Sequence, residues 1–149
     1  MQDSKSVIGQ GSSATGEAAA ISRSVTGQVS VPYILGGNEV TAVGPYAFSS
    51  CQVSAVQLPD SIKEICTNAF CSCDNLAEMH VHEHLTAIAY GAFCYNSCLT
   101  AFTVEEGNSA YKSINGMLLS ADGKTLIAGS NYAGYNVPEG VETIASQAF

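Results

Sequence analysis

Val53-Ser-Ala-Val56-Gln-Leu58, Leu76-Ala-Glu-Met79-His-Val81 and Leu99-Thr-Ala-Phe102-Thr-Val104 stand 23 residues apart and share one form, apolar-x-x-apolar-x-apolar. A fixed period of about 20 to 29 residues is the mark of a stacked repeat, in which each unit buries its apolar face only against the next. The rest of the chain is best read outward from these three segments.

Two further registers complete the unit. The dipeptide Ala-Phe occurs at Ala47-Phe48, Ala69-Phe70, Ala92-Phe93 and Ala148-Phe149, taking four of the five phenylalanines. Before each lies a split apolar pair, Val40-Thr-Ala-Val43, Ile62-Lys-Glu-Ile65, Leu85-Thr-Ala-Ile88 and Val141-Glu-Thr-Ile144, followed by the small residues Gly44, Cys66, Ala89 and Ala145. The coil therefore reads as strand, turn, short extended stretch, and one helical turn carrying Ala-Phe. One large ring fills a narrow interior, while its small neighbour lets the next coil approach. At a strand spacing of about 4.8 Å, stacking should bring the four rings, or at least the consecutive Phe48, Phe70 and Phe93, into a column.

Proline marks strand ends at Val31-Pro32, Leu58-Pro59 and Val137-Pro138, where the ladder need not continue. The segment Gln28 to Pro32 then reads as the first strand, and the solenoid spans 27–149. Residues 1–26, rich in Ser, Gly and Ala, read as a flexible leader with a brief helix over 18–21. The interval from Phe93 to Phe149 is too long for one coil, so an insert is expected over about 105–136. Within it, Ile114 to Leu119 and Lys124 to Ala128 flank Asp122-Gly123, a hairpin signature, and Tyr135-Asn-Val-Pro138 resumes the strand register. Four to five coils are expected.

These residues resemble a known family. The run Val40-Thr-Ala-Val-Gly-Pro-Tyr-Ala-Phe-Ser-Ser-Cys51, followed by Val53-x-x-Val56-Gln-Leu-Pro59, resembles the BspA-type leucine-rich repeat, whose unit carries I-G-x-x-A-F-x-x-C and I-x-I-P. The insert, with Asn108, Tyr111, Ile114-Asn-Gly and Asp122-Gly-Lys-Thr-Leu126, is similar to the hairpin that many members carry between coils. His82 and Glu105 stand where proline is usual, and Cys98 lies off the cysteine register. The expected fold is an α/β repeat solenoid, a right-handed leucine-rich-repeat coil with short parallel strands, short helical turns and one inserted β-hairpin. The resemblance implies a secreted or cell-surface adhesion protein, extracellular, with its leader outside this chain and without catalytic residues, binding host, matrix or other-cell proteins.

Composition narrows the partners. Five basic against thirteen acidic residues give a net charge of −8, which removes the driving force for nucleic acid and for anionic lipid surfaces. At 46% apolar and only 12% charged, the chain carries enough apolar surface to fold. No run reaches the roughly 18 apolar residues of a membrane span, so no membrane insertion is expected.

Candidate chemistry is sparse. His80, His82 and His84 alternate along a strand, which suggests a metal site on the sheet surface. Same-face neighbours on one strand lie nearly 7 Å apart, however, so a displayed polar stripe is the simpler reading. The repeat places His80 beside Gln57 and Thr103, and His82 beside Pro59 and Glu105, where a His82 to Glu105 hydrogen bond can form. Cys51 and Cys73 share one register, Cys71 and Cys94 another, and Cys66 takes a small interior position. They read as free thiols packed coil on coil, since parallel side chains rarely give the torsion of a disulfide. Cys71-x-Cys73 with Cys94 and Cys98 imitates a four-thiolate zinc site but lacks its knuckle spacing. No base stands within convincing reach of a nucleophile, so an enzyme is not expected, and neither is a cofactor or metal.

The expected function is recognition of a protein partner through the exposed strand face. Its residues are Gln57, Glu78, His80, His82, Thr103 and Glu105, flanked by Ser30, Ala55 and Ala101. Two alternatives stay open: a fragment that self-associates as a homo-oligomer through an open C-terminal coil at Ala145 to Phe149, and a metal-binding histidine cluster.

Overall fold

The computed structural model describes residues 6–8, 21–130 and 136–149. Its strands are β1 (Ser6–Ile8), β2 (Thr26–Ser30), β3 (Ile34–Leu35), β4 (Asn38–Val43), β5 (Gln52–Gln57), β6 (Glu64–Ile65) and β7 (Glu78–Val81). They continue as β8 (Ala87–Ile88), β9 (Ala101–Val104), β10 (Tyr111–Ile114), β11 (Met117–Ser120), β12 (Thr125–Ala128) and β13 (Thr143–Ile144). Most pairs are parallel and join residues about one repeat apart, as a stacked coil requires.

Each coil contributes to three stacked rows. The first holds the longer strands: β2 pairs β5 with Ser30 opposite Gln57, and β7 pairs β9 from Glu78 opposite Ala101 to Val81 opposite Val104. Between them the Ala77 N–H reaches the Ser54 carbonyl at 3.4 Å. The second row is β4, β6 and β8, with Val43 opposite Ile65 and Ile65 opposite Ile88, and β1 lies parallel to β4 on its other edge. The third row is built from turns, where Phe48 N–H donates to Ala69 O and Phe70 N–H to Ala92 O, both at 2.8 Å.

The interior is the predicted column. Phe48 and Phe70 stack with centroids 4.9 Å apart at 13°, and Phe70 and Phe93 at 5.3 Å and 7°, all three rings buried. Phe102 closes the file edge-on to Phe93 at 5.1 Å. Phe149 does not continue it. Gly129 N–H donates to Ala148 O, the bond that Phe48 and Phe70 make to their own Ala partners, so a glycine stands in the ring register of the intervening coil. The Phe149 ring lies over Gly129, where a β-carbon would collide with it, and stays 65% exposed.

Other expectations need correction. The turn carrying Ala-Phe is not helical, and no helix occurs among the described residues. Its backbone explains why: the residue before Ala-Phe has positive φ in every coil, at Tyr46 (58°), Asn68 (57°), Gly91 (74°) and Gln147 (58°). A second positive φ follows at Ser50 (59°), Ser72 (58°) and Tyr95 (56°). Two left-handed residues four positions apart forbid a right-handed helix and yield a chain of tight turns instead.

The described coils amount to about three regular turns rather than four to five, because the insert displaces the fourth. Packing also begins before residue 27, since Ile21 N–H donates to Ala47 O at 3.2 Å and Cys51 Sγ donates to Ile21 O at 3.4 Å. Ile21 thus occupies the ring register of the preceding coil. Of the expected leader, Ser6–Ile8 forms β1, while residues 1–5 and 9–20, including most of the expected brief helix, lie outside the described residues.

Tyr95 is exposed and left-handed, a conformation that costs an L-residue about 1 kcal/mol or more and glycine almost nothing. Tyr95→Gly is therefore expected to stabilise the fold by about 0.5 to 1 kcal/mol. Urea unfolding with a higher midpoint would show it; a lower one would contradict the backbone argument.

The insert is a three-stranded meander rather than one hairpin. β10 pairs β11 antiparallel with Ile114 opposite Met117, closed by Asn115 (φ 52°) and Gly116 (φ 76°), the two successive positive φ values of a type I′ turn. β11 pairs β12 across the anticipated turn at Asp122-Gly123, and β12 pairs β13 in parallel, which returns the chain to the stack. Asn136 to Pro138 form no strand, and Tyr135 lies outside the described residues.

Candidate functional site

The first row of strands alternates side chains in and out, apart from one extra residue at Ser54 in β5. Val53, Val56, Met79, Val81 and Phe102 point into the core, while Gln57, Glu78, His80 and Thr103 are exposed. The coil register turns these outward residues into a lateral chain: Ser30 Oγ donates to Gln57 Oε1 at 2.8 Å, and His80 Nδ1 lies 3.1 Å from Thr103 Oγ1. A groove of about 540 Å³ runs along the start of the row, lined by Ser30, Gln57, His80, Val31, Val56, Leu58 and Pro59.

Glu105 sits at the far end with two contacts. One carboxylate oxygen lies 3.8 Å from His80 Nε2, and the other accepts the Glu83 N–H at 2.7 Å, so the side chain also caps the turn after β7. The predicted neighbour of Glu105 was His82, and here the structure differs. β7 ends at Val81, the chain turns, and the alternation that would have displayed His82 stops one residue too early. His82 is only 4% exposed and leaves the expected display row, with neither ring nitrogen hydrogen-bonded to protein. Its ring meets His84 edge-on at 6.4 Å.

Burial of His82 lowers its pKa below the ordinary 6.5; the Asp60 and Glu105 carboxylates act in the opposite sense, and His84 and His80 reinforce the lowering. An unfolded chain takes up a proton near pH 6.5 that this folded site resists. Stability is thus intact above that pH and falls as the solution is acidified through it. The urea midpoint of the wild type should drop more between pH 7 and pH 5 than that of His82→Leu. Equal slopes would remove His82 from the acid response.

The three imidazoles do not converge, since His80 and His84 are exposed and His82 is inside. Among the described residues, no group of three His, Cys, Asp or Glu side chains is placed to hold a metal ion. All six cysteines are free thiols. Cys73 Sγ donates to Phe48 O at 2.9 Å, the same bond Cys51 makes to Ile21 O, and burial pushes the Cys73 thiol up to about 12. In the next coil Asn96 takes this place, donating to Phe70 O at 2.9 Å and Phe93 O at 3.0 Å and accepting from Cys73 N at 2.6 Å. The cysteine register is thus a ladder of interior donors that tie each coil to the one before. Cys66 is half-buried rather than fully interior, with its Sγ 3.6 Å from Glu64 Oε1.

Period, column and donor ladder all describe one repeat, and the profile of the BspA type leucine-rich repeat region matches residues 21–149 in six copies. The chain belongs to this family. Among solved structures, the pneumococcal vaccine antigen PcpA is similar with a TM-score of 0.69 at 24% identity, over 83% of this chain. A leucine-rich cell surface protein from Faecalibacterium prausnitzii is similar with a TM-score of 0.63 at 30% identity, over 76% of this chain. The match spans 30% of the length of each. No curated protein matches the sequence significantly.

Within this BspA-type chain, two of the residues that join the insert to the coil have roles the sequence did not disclose. Asn108 Nδ2 donates to His82 O (2.8 Å) and Leu85 O (2.9 Å), while its Oδ1 accepts from Ala110 N and Tyr111 N. Tyr111 Oη accepts the Ile88 N–H at 2.6 Å, standing where a neighbouring strand's carbonyl would be. Neither belongs to the repeat, so no periodicity pointed to these contacts. Asn96 could have been found: it follows Phe93 by three residues, as Cys51 follows Phe48 and Cys73 follows Phe70.

Proposed function

We propose that the chain is a non-enzymatic recognition module of an extracellular or cell-surface protein, binding a protein partner through the exposed row Ser30, Gln57, Glu78, His80, Thr103 and Glu105. The supporting observation is the groove of about 540 Å³ that Ser30, Gln57 and His80 line together with the apolar flanks of Val31, Leu58 and Pro59. Such a mixture of apolar floor and hydrogen-bonding rim suits an extended peptide segment or loop. The row is held by the repeat backbone, so its side chains can vary without disturbing the core. Two resembling structures are a vaccine antigen and a cell surface protein, and the repeat fold is typically a binding scaffold. No helix among the described residues is long and apolar enough to cross a membrane.

Labelled chain should bind surfaces coated with matrix proteins or intact host cells, and the triple variant Gln57→Lys, His80→Lys, Thr103→Lys should lose at least tenfold in affinity. Full retention of binding by a folded variant would move the site to the insert.

A further inference from the structure

We propose that Cys71 and Cys94 form a redox site, a thiol pair on adjacent coils that a small external disulfide of the glutathione class converts reversibly to a cross-coil disulfide.

The coil register sets the pair. Phe70 N–H donates to Ala92 O at 2.8 Å and Ser72 N–H to Cys94 O at 3.0 Å, which places Cys71 directly opposite Cys94 in the parallel stack. Residues so paired lie about 4.8 Å apart, within the Cα window of about 4.4 to 6.8 Å for a disulfide. Both follow a column phenylalanine by one residue and precede a left-handed one, Ser72 or Tyr95, so both side chains leave equivalent turns in the same direction. The other four cysteines are disposed differently: Cys51 and Cys73 donate to interior carbonyls, Cys66 contacts Glu64, and Cys98 is exposed.

Accessibility orders the steps. Cys71 is half-buried and reachable, whereas Cys94 is 2% exposed. The Cys71 thiolate attacks one sulfur of the external disulfide, expelling one external thiol and leaving a mixed disulfide on Cys71. Cys94 then loses its proton and attacks the Cys71 sulfur, forming the Cys71–Cys94 bond and expelling the second external thiol. The pair gives up two electrons and two protons, and the external disulfide is reduced to two thiols. Burial, reinforced by contact with Cys71, pushes the Cys94 thiol up to about 12, and its S–H is held by Asn68 Oδ1 at 3.3 Å. The second step should therefore be the slow one and accelerate as pH rises. Stacked side chains run parallel while a disulfide needs them to converge, so the bond is strained and readily reduced.

The test uses the whole chain, equilibrated with oxidised and reduced glutathione at several ratios, alkylated with N-ethylmaleimide, and digested after Glu78 and Glu83, which separates the two cysteines. The expected result is a monomer that has lost two of its six thiols, a peptide pair linked through Cys71 and Cys94 by fragmentation, and full reversal on adding reduced glutathione. A persistent mixed disulfide on Cys71, a different linked pair, or a disulfide-linked dimer would each overturn the proposal.

Discussion

Phe70→Ala should cost about 3 to 5 kcal/mol of folding stability, the range for emptying a fully buried aromatic site. Phe70 has no exposed surface and is sandwiched between Phe48 and Phe93 at near-parallel angles, so its loss removes the middle of the file and both stacking contacts. A domain holds only about 5 to 15 kcal/mol in total, so the variant should be largely unfolded at modest urea. Phe70→Leu keeps most of the volume and should lose about half as much. Denaturant titrations of the three proteins decide it. An alanine variant within 1 kcal/mol of wild type would mean that the coil collapses onto the vacancy, contrary to the close packing argued above.

The second large effect concerns Asn96. Asn96→Leu strands three buried backbone groups at once, the carbonyls of Phe70 and Phe93 and the N–H of Cys73. At about 1 to 3 kcal/mol for each unsatisfied group, a loss of about 3 to 5 kcal/mol is expected even after the gain in apolar volume. Asn96→Cys makes the informative control. Cys73 and Cys51 show that a thiol at this place reaches the preceding coil's carbonyl, so the cysteine variant should retain the Phe70 contact and lose markedly less. If leucine and cysteine are equally damaging, size rather than hydrogen bonding governs the position.

What could be read from the sequence was whatever recurs. The 23-residue kernel gave the strand registers, and the Ala-Phe dipeptides gave the column, because a period in sequence becomes a distance in space once coils stack. Local geometry was less legible. The Ala-Phe segment has good helix formers, yet Tyr46, Asn68 and Gln147 are left-handed, and among these four only Gly91 and, more weakly, Asn68 are residues that advertise it. His82 failed for a related reason: alternation identifies faces only while a strand lasts, and β7 stops at Val81. Of the two columns the sequence allowed, the three-ring one forms, because the coil neighbour of Phe149 is Gly129, hidden in an insert with no repeat signature. Of the six residues expected on the display face, Gln57, Glu78, His80, Thr103 and Glu105 are exposed, while His82 is not.

The phenol of Tyr111 at the edge of β8 carries a mechanical implication. On the row of shorter strands, β8 pairs β6 but not β12, and a shallow groove lined by Ile88, Ala89, Tyr90, Tyr111 and Ile127 marks the gap. Tension applied along the stack is shared by backbone bonds between β4, β6 and β8, yet on this side it passes through the side chains of Asn108 and Tyr111 at that seam. Stretched between its ends, the solenoid should yield first there, parting into an N-terminal block and an insert-bearing block before either unravels.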